Sequence, residues 1–441
     1  MTERRPRVSA TLLVLVLVGL AALVGSCSVT TEDTVTPVDI PAASQEYVVL
    51  AWNDIGMHAL SATYDSVVIL PPYNTLWAQV VKRGDPPQIV TAGVRLEYRI
   101  VDNTYSYGKR SYAQFWDNSF LLFGTALAPD TGLNFVDPGI HNGLTGDMLL
   151  KGNHFQADGI PVVPVDDADV WDPYQVAEIT LYDDATGLEL AVTRATVPTS
   201  DEVNCAKCHG VGEVKSVLET HDEIEGTTLV DSQPVLCASC HGSPFLGQTG
   251  PGSSERYLSE VIHGIHSLAA SNATCYDCHP GEETKGNRST DHTTADGNCT
   301  TCHGTLANVA SQIINGRVPW SGQPRCASCH TFVFGVETGT AGYRDSAAHG
   351  ELSCSACHGP AHATVPSNQD SDHHQALQYQ NKALTIGSCR VCHPTSKGGG
   401  LADIVTAHGG SQPTACAVCH TAPIATNNPE SFPHQFQWRR R

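Results

Sequence analysis

One pattern recurs eight times in the second half of the 441-residue chain: a cysteine, two other residues, a second cysteine and then a histidine. Taken in order, the copies are Cys205, Cys208 and His209; Cys237, Cys240 and His241; Cys275, Cys278 and His279; Cys299, Cys302 and His303. Cys326, Cys329 and His330; Cys354, Cys357 and His358; Cys389, Cys392 and His393; and Cys416, Cys419 and His420 complete the set. These copies use sixteen of the seventeen cysteines and leave only Cys27 outside. Random order at these Cys and His frequencies would give roughly 0.03 copies, so the pattern has a chemical purpose. Two thiols three residues apart on one helical turn can add to the two vinyl groups on one edge of a porphyrin. The next residue then offers its imidazole to the iron as proximal ligand. The alternative is zinc held by pairs of C-x-x-C units, but zinc does not need a histidine after every second cysteine.

Each iron has one further axial position. The methionines beyond the initiator, Met57 and Met148, both lie outside the motif-bearing half, which excludes His/Met ligation for most sites. Ten histidines beyond residue 200 stand outside the motifs: His221, His263, His266, His292, His349, His362, His373, His374, His408 and His434. Eight irons and ten candidates fit bis-His ligation throughout, and His373 and His374, being adjacent, supply one ligand between them. His349 and His408 lie just upstream of Cys354 and Cys416. Each is expected to reach an iron other than the one attached next, because a short tether cannot wrap from one porphyrin face to the other. Bis-His haems lack the thioether that raises potential, so low potentials are expected.

The elements that carry these groups are short. Successive motifs start 32, 38, 24, 27, 28, 35 and 27 residues apart, too few to build an apolar core for each. The porphyrins must then be the core, wrapped by short helices and loops, and the apo form should not fold. Residues 46–200 contain no cysteine and read differently. Tyr47 to Trp52 and Leu76 to Val81 are short apolar runs. Val94 to Ile100 and Ala177 to Tyr182 alternate apolar with polar residues, the mark of half-buried strands. Asp183 to Gly187 turns the latter into Leu188 to Val197, a hairpin. Strands with Gly/Pro/Asp punctuation point to an all-β sandwich, immunoglobulin-like in outline; residues 103–169 look irregular. The run Trp52-Asn53-Asp54-Ile55-Gly56-Met57-His58 reads as a strand ending in a turn, with His58 on the surface. Its other reading makes His58 or Met57 an axial ligand.

The motif-bearing half resembles the multihaem c-type cytochromes, specifically an octahaem one, and this resemblance implies eight haem c groups and electron transfer in anaerobic or extracellular respiration. Octahaem oxidoreductases of the hydroxylamine, nitrite or tetrathionate type are the enzymatic alternative. Several of them mark a catalytic haem by Lys in place of the motif His, whereas every motif here keeps its His. A filament-forming cytochrome is the structural alternative. No catalytic residue is assigned, and an electron carrier fits better than a catalyst.

Arg4, Arg5 and Arg7 precede an unbroken apolar run from Thr11 to Val24, about the length of a signal-peptide core and short for a membrane span. Val24-Gly25-Ser26-Cys27 resembles the lipobox of bacterial lipoproteins, which makes Cys27 the lipidated residue. The organisation is therefore a signal peptide (1–26), a lipid-anchored tether (27–45), a β-rich domain (46–200) and an octahaem cytochrome c domain (201–441). The expected location is the periplasm or cell surface, anchored in the outer membrane. The expected partners are other redox proteins or a periplasmic or extracellular electron acceptor. Lys+Arg 25 against Asp+Glu 45 leaves a formal charge of −20, which argues against nucleic acid as a partner.

Overall fold

The computed structural model describes residues 46–393 apart from 85, 210–213, 270–272, 294–298, 329–340 and 348. The leader and tether, Cys27, Cys329, His330, His408, His434 and the eighth motif (Cys416, Cys419, His420) lie outside the described residues. In chain order the strands are β1 (Tyr47–Trp52), β2 (Ala59–Ser61), β3 (Val67–Val68), β4 (Asn74–Lys82), β5 (Gln88–Ile89) and β6 (Val94–Ile100). There follow β7 (Thr145–Lys151), β8 (His154–Ile160), β9 (Val176–Asp183), β10 (Glu189–Thr196), β11 (Ser200–Val203) and β12 (Val235–Leu236). The α-helices are α1 (Ala113–Asp117), α2 (Ser119–Phe123), α3 (Ala206–His209), α4 (Val214–Glu225) and α5 (Leu258–Ala269). Beyond these come α6 (Cys299–His303), α7 (Leu306–Ile314), α8 (Cys354–His358) and α9 (His374–Gln380).

The expected two-sheet sandwich does not form. The main strands pair antiparallel in the single order β1-β4-β8-β7-β6-β9-β10, with β5 added to β4. The end strands β1 and β10 lie against each other, so the sheet curls into a nearly closed barrel. Register shifts at Asn74/Thr75 and at Glu189/Ala191 add the local twist that curling requires. Alternation sets the inside: Leu96 faces Leu181, Tyr98 faces Ile179 and Ile100 faces Ala177, all buried. The stretch that looked irregular holds the β7–β8 hairpin. It was obscured because β7 buries only Met148 fully, so its pattern does not alternate.

Strand β1 is apolar on both faces because both faces are covered. Val49 and Ala51 point into the barrel. Val48, Leu50 and Trp52 pack outward against Ala356 and Val391, which belong to two of the cysteine motifs. Helix α9 spans the seam between the end strands. The Tyr379 hydroxyl donates to the Val49 carbonyl of β1, and Gln378 Nε2 donates to the Val192 carbonyl of β10. Gln375 Nε2 donates to carbonyls on both strands, Ala51 and Arg194.

Beyond residue 200 the chain is helix-poor and loop-rich, with no α-helix among the described residues longer than 12 residues. Several of its buried apolar side chains are small, such as Ala238, Ala310, Ala356 and Ala363, while Leu236 and Leu246 join a cluster with Tyr64 and Phe115 of the barrel half. It is stitched to the barrel half by parallel pairing of β11 with β2 and of β12 with β3. A buried ion pair adds to this: Arg288 Nε and Nη2 donate to the Asp372 carboxylate at 2.8 and 3.0 Å, while Nη1 donates to the Gly56 carbonyl at 2.8 Å. Among the described residues no helix is long and apolar enough to cross a membrane.

Candidate functional site

Where a protein of this size would carry an apolar core, the second half lines a cavity of about 3480 Å³, to which barrel-half residues such as Leu50 and His58 also contribute. It is lined by motif thiols and imidazoles, from Cys205 and His209 through to Cys392 and His393. The described motifs are single helical turns. The backbone N–H of His209, His241, His279 and His393 each donates to the carbonyl of the cysteine four residues before it, at 2.8–3.1 Å. That turn sets two thiols and the following imidazole side by side, as covalent porphyrin attachment demands.

The histidines come in facing pairs. Ring centres are 6.4 Å apart for His209 and His266, 6.3 Å for His221 and His241, and 6.0 Å for His263 and His279. They are 6.1 Å apart for His303 and His362, and 6.2 Å for His349 and His393. A first-row metal bound at about 2.0–2.1 Å by two opposed imidazoles, with each ring nitrogen about 1.1 Å from its ring centre, separates the centres by about 6.3 Å. Each pair joins one motif histidine to one candidate from outside the motifs. The residues present therefore fit axially ligated haem iron.

Hydrogen bonding selects the ligating nitrogen. His263 Nδ1 donates to the Ser259 carbonyl at 2.6 Å, His266 Nδ1 to Ile262 at 2.8 Å and His362 Nδ1 to Ile55 at 2.8 Å. A carbonyl only accepts, so the proton sits on Nδ1 and the lone pair on Nε2, the arrangement that orients and strengthens a metal-bound imidazole. His221 Nδ1 lies 2.9 Å from Thr227 Oγ1, and His241 Nδ1 lies 2.8 Å from Ser254 Oγ. Burial pulls His279 and His362 down to about 4, keeping both neutral and able to ligate. Burial also pushes the Cys237 and Cys357 thiols up to about 12. Among the described residues no three His, Cys, Asp or Glu side chains converge on a bare ion.

The sites are bound to one another through short stretches of chain. His263 and His266 sit three apart on α5, so one helix face serves both the His279 and His209 sites. His221, opposite His241, follows the His209 motif on α4. His362, opposite His303, follows motif residue His358 by one helical turn's length. His349 precedes Cys354 yet faces His393, the histidine of the next motif. The Cys299 thiol is pushed up to about 11, by burial first and then by the Cys275 thiol beside it.

His292, His358 and Cys326 also line the cavity. His373 and His374 do not lie along it; His373 Nε2 instead accepts from the Ser367 backbone N–H at 3.0 Å. His58 is not on the surface. It is 3% exposed, lines the cavity, and its Nε2 donates to Asp54 Oδ1 at 2.8 Å. The turn that places it is fixed by Asn53, whose Oδ1 accepts from the Gly56 N–H at 2.7 Å and whose Nδ2 donates to Asn74 Oδ1 at 2.6 Å. The apolar pattern around Met57 and His58 gave no sign of burial, because the cover is supplied by Tyr73 and Phe245 from distant loops.

Residues 308–359 match a family model described as cytochrome c554 and c-prime, a stretch containing Cys326, His349, Cys354, Cys357 and His358. No curated protein and no solved structure matches the chain. The family match supports a c-type cytochrome, with haem c, iron and haem-based electron transfer.

Proposed function

We propose that this protein is an exported electron carrier that binds eight haem c groups, anchored to the outer membrane by lipid on Cys27 and passing electrons between redox partners in the periplasm or at the cell surface during anaerobic or extracellular respiration. The observation that carries this reading is the set of five facing histidine pairs, each 6.0–6.4 Å between ring centres. Bound haem supplies reversible one-electron exchange at iron and a conjugated edge that couples to its neighbours. The chain's residues do the rest. Motif thiols would hold each porphyrin, and the paired imidazoles would bind its iron and leave no site there for substrate. Carbonyls such as those of Ile55, Ser259 and Ile262 lock the imidazoles in the ligating tautomer.

The tethers imply an order of sites in space that differs from their order in sequence. Named by motif histidine, it runs His241, His209, His279, His303, His358, His393. Each step rests on a short connection: α4, α5, the Cys275–Cys299 contact, the His358–His362 spacing and the His349–Cys354 spacing. A haem-stained denaturing gel and an intact mass exceeding the processed polypeptide by eight haems test the count; six or fewer would sink it. Titration with CO, followed by absorption and EPR, separates a carrier from an octahaem oxidoreductase. All-low-spin, unreactive haems support the carrier, and one ligand-binding high-spin haem supports the enzyme.

A further inference from the structure

We propose that Asp222 and Thr227 are positioning residues that act through His221, holding the iron between His221 and His241 at a lower potential than a carbonyl-backed ligand would give. This role rests on the haem reading above and sets how one of its sites is tuned. His221 and Asp222 are adjacent near the end of α4. Gly226 follows the helix with a φ of 67°, the left-handed conformation that reverses the chain there. The reversal brings Thr227 Oγ1 to 2.9 Å from His221 Nδ1 and 2.5 Å from Asp222 Oδ1.

The protons in this line have fixed places. Asp222 also accepts the Leu229 N–H on Oδ1 at 2.7 Å and the Val230 N–H on Oδ2 at 3.0 Å. An ionised carboxylate only accepts, so the single hydroxyl proton of Thr227 goes to Asp222. The Thr227 oxygen is then left to accept from the ring. Nδ1 of His221 therefore carries the imidazole proton, and Nε2 is free for iron. The line runs from ring N–H to hydroxyl to carboxylate and ends on a full negative charge.

Within the five facing pairs, the other Nδ1 bonds described end on neutral groups. His263, His266 and His362 donate to backbone carbonyls. His241, opposite His221, meets Ser254 Oγ at 2.8 Å, and that hydroxyl donates onward to the Arg256 carbonyl at 3.0 Å. A line that ends on a charge polarises every bond along it, draws the ring proton outward and makes Nε2 the stronger donor. A stronger donor favours Fe(III) and lowers the potential. Asp222 is half-buried, so water weakens its direct field, and the hydroxyl carries its influence into the ring by contact.

The test is a redox titration of the full-length haem-loaded protein followed by EPR, with haem counted by pyridine haemochrome. His221→Ala identifies which low-spin signal belongs to this site, because that signal disappears. Thr227→Val and Asp222→Asn should each raise its midpoint, and by more than that of any other signal. The expected shift is about tenfold in the ferric–ferrous equilibrium, which is about 59 mV for one electron. Thr227→Ser, which keeps the hydroxyl, should restore the wild-type value. Should Thr227→Val lose haem, the serine and asparagine variants carry the comparison. An unmoved midpoint with the haem count and low-spin signal intact overturns the proposal while leaving the relay standing. A shift in Asp222→Asn without one in Thr227→Val also overturns it, since the charge would then act through space. If His221→Ala removes no low-spin signal, the pairing with His241 is not ligation, and the haem reading of this site fails first.

Discussion

His303 and His362 face each other with their rings only 15° from parallel and their centres 6.1 Å apart, although they lie 59 positions apart in the chain. His362 is held there by three bonds to other segments: its Nδ1 and its backbone N–H both donate to the Ile55 carbonyl, and its own carbonyl accepts from the Arg288 N–H at 2.7 Å. A strand-end turn of the barrel thus sets the orientation of a histidine that faces a motif histidine in the other half.

Replacing His362 by Ala should leave all eight thioether attachments intact, since attachment needs only the motif, and turn one iron high-spin with a raised potential. Magnetic circular dichroism counts high-spin haems directly. In a redox titration with assigned haems, the two sites that shift in response should be those of His279 and His358. A response from the His330 site in place of the His358 site would refute the proposed spatial order.

His349→Ala tests the same logic at the other end. The iron attached beside His393 should lose its low-spin signature, while the one beside His358, which follows His349 in sequence, should keep it. A change confined to the His358 haem would show that the 6.2 Å pairing of His349 with His393 is not ligation.

Arg288→Met should destabilise the protein by about 3–5 kcal/mol, because it strands the buried Asp372 carboxylate. Arg288 and Asp372 side chains are 2% and 4% exposed, so water cannot replace the lost partner. Arg288→Met together with Asp372→Leu should recover much of the loss. Thermal unfolding monitored by circular dichroism gives both values.

Burial pushes the Asp158 carboxyl up to about 6, partly countered by the Trp77 indole N–H that donates to it. The folded state therefore binds a proton that the unfolded chain, with a pKa of about 3.9, has already released. This contribution is fully favourable to folding below about pH 4, is lost as pH rises through 6, and amounts to about 3 kcal/mol. Asp158→Asn should flatten the stability profile between these limits. Denaturant titrations at several pH values check it, and an unchanged slope would show that Asp158 ionises normally.

Cys27→Ser should move the protein from the membrane to the soluble fraction with its haem count intact. Unchanged fractionation would remove the lipid anchor from the proposal.

The motif residues were legible in the sequence because covalent chemistry fixes their spacing, as in Cys205, Cys208 and His209. Strands such as β6 and β9 were legible because one face is buried and the other wet. The partners of the motif histidines were legible only as a pool. His263 and His266 look alike in sequence, and only folding shows that α5 turns one toward His279 and the other toward His209. The curling of the sheet was hidden for a similar reason. Alternation tells which face of a strand is buried but not which strand closes upon which. His58 was misjudged because its cover comes from Tyr73 and Phe245, neither of them near it in sequence.

Helix α9 has a consequence for how the chain matures. The open edges of β1 and β10 obtain their last hydrogen-bonding partners from Gln375, Gln378 and Tyr379, which emerge during synthesis only after six of the haem-attachment motifs. Until that segment docks, the barrel carries two bare strand edges, the kind of surface that recruits strands from other chains. A chain in which that segment fails to dock would expose those edges and be prone to aggregation. The seam makes the sheet's own completion wait for a segment that emerges nearly 200 residues after β10.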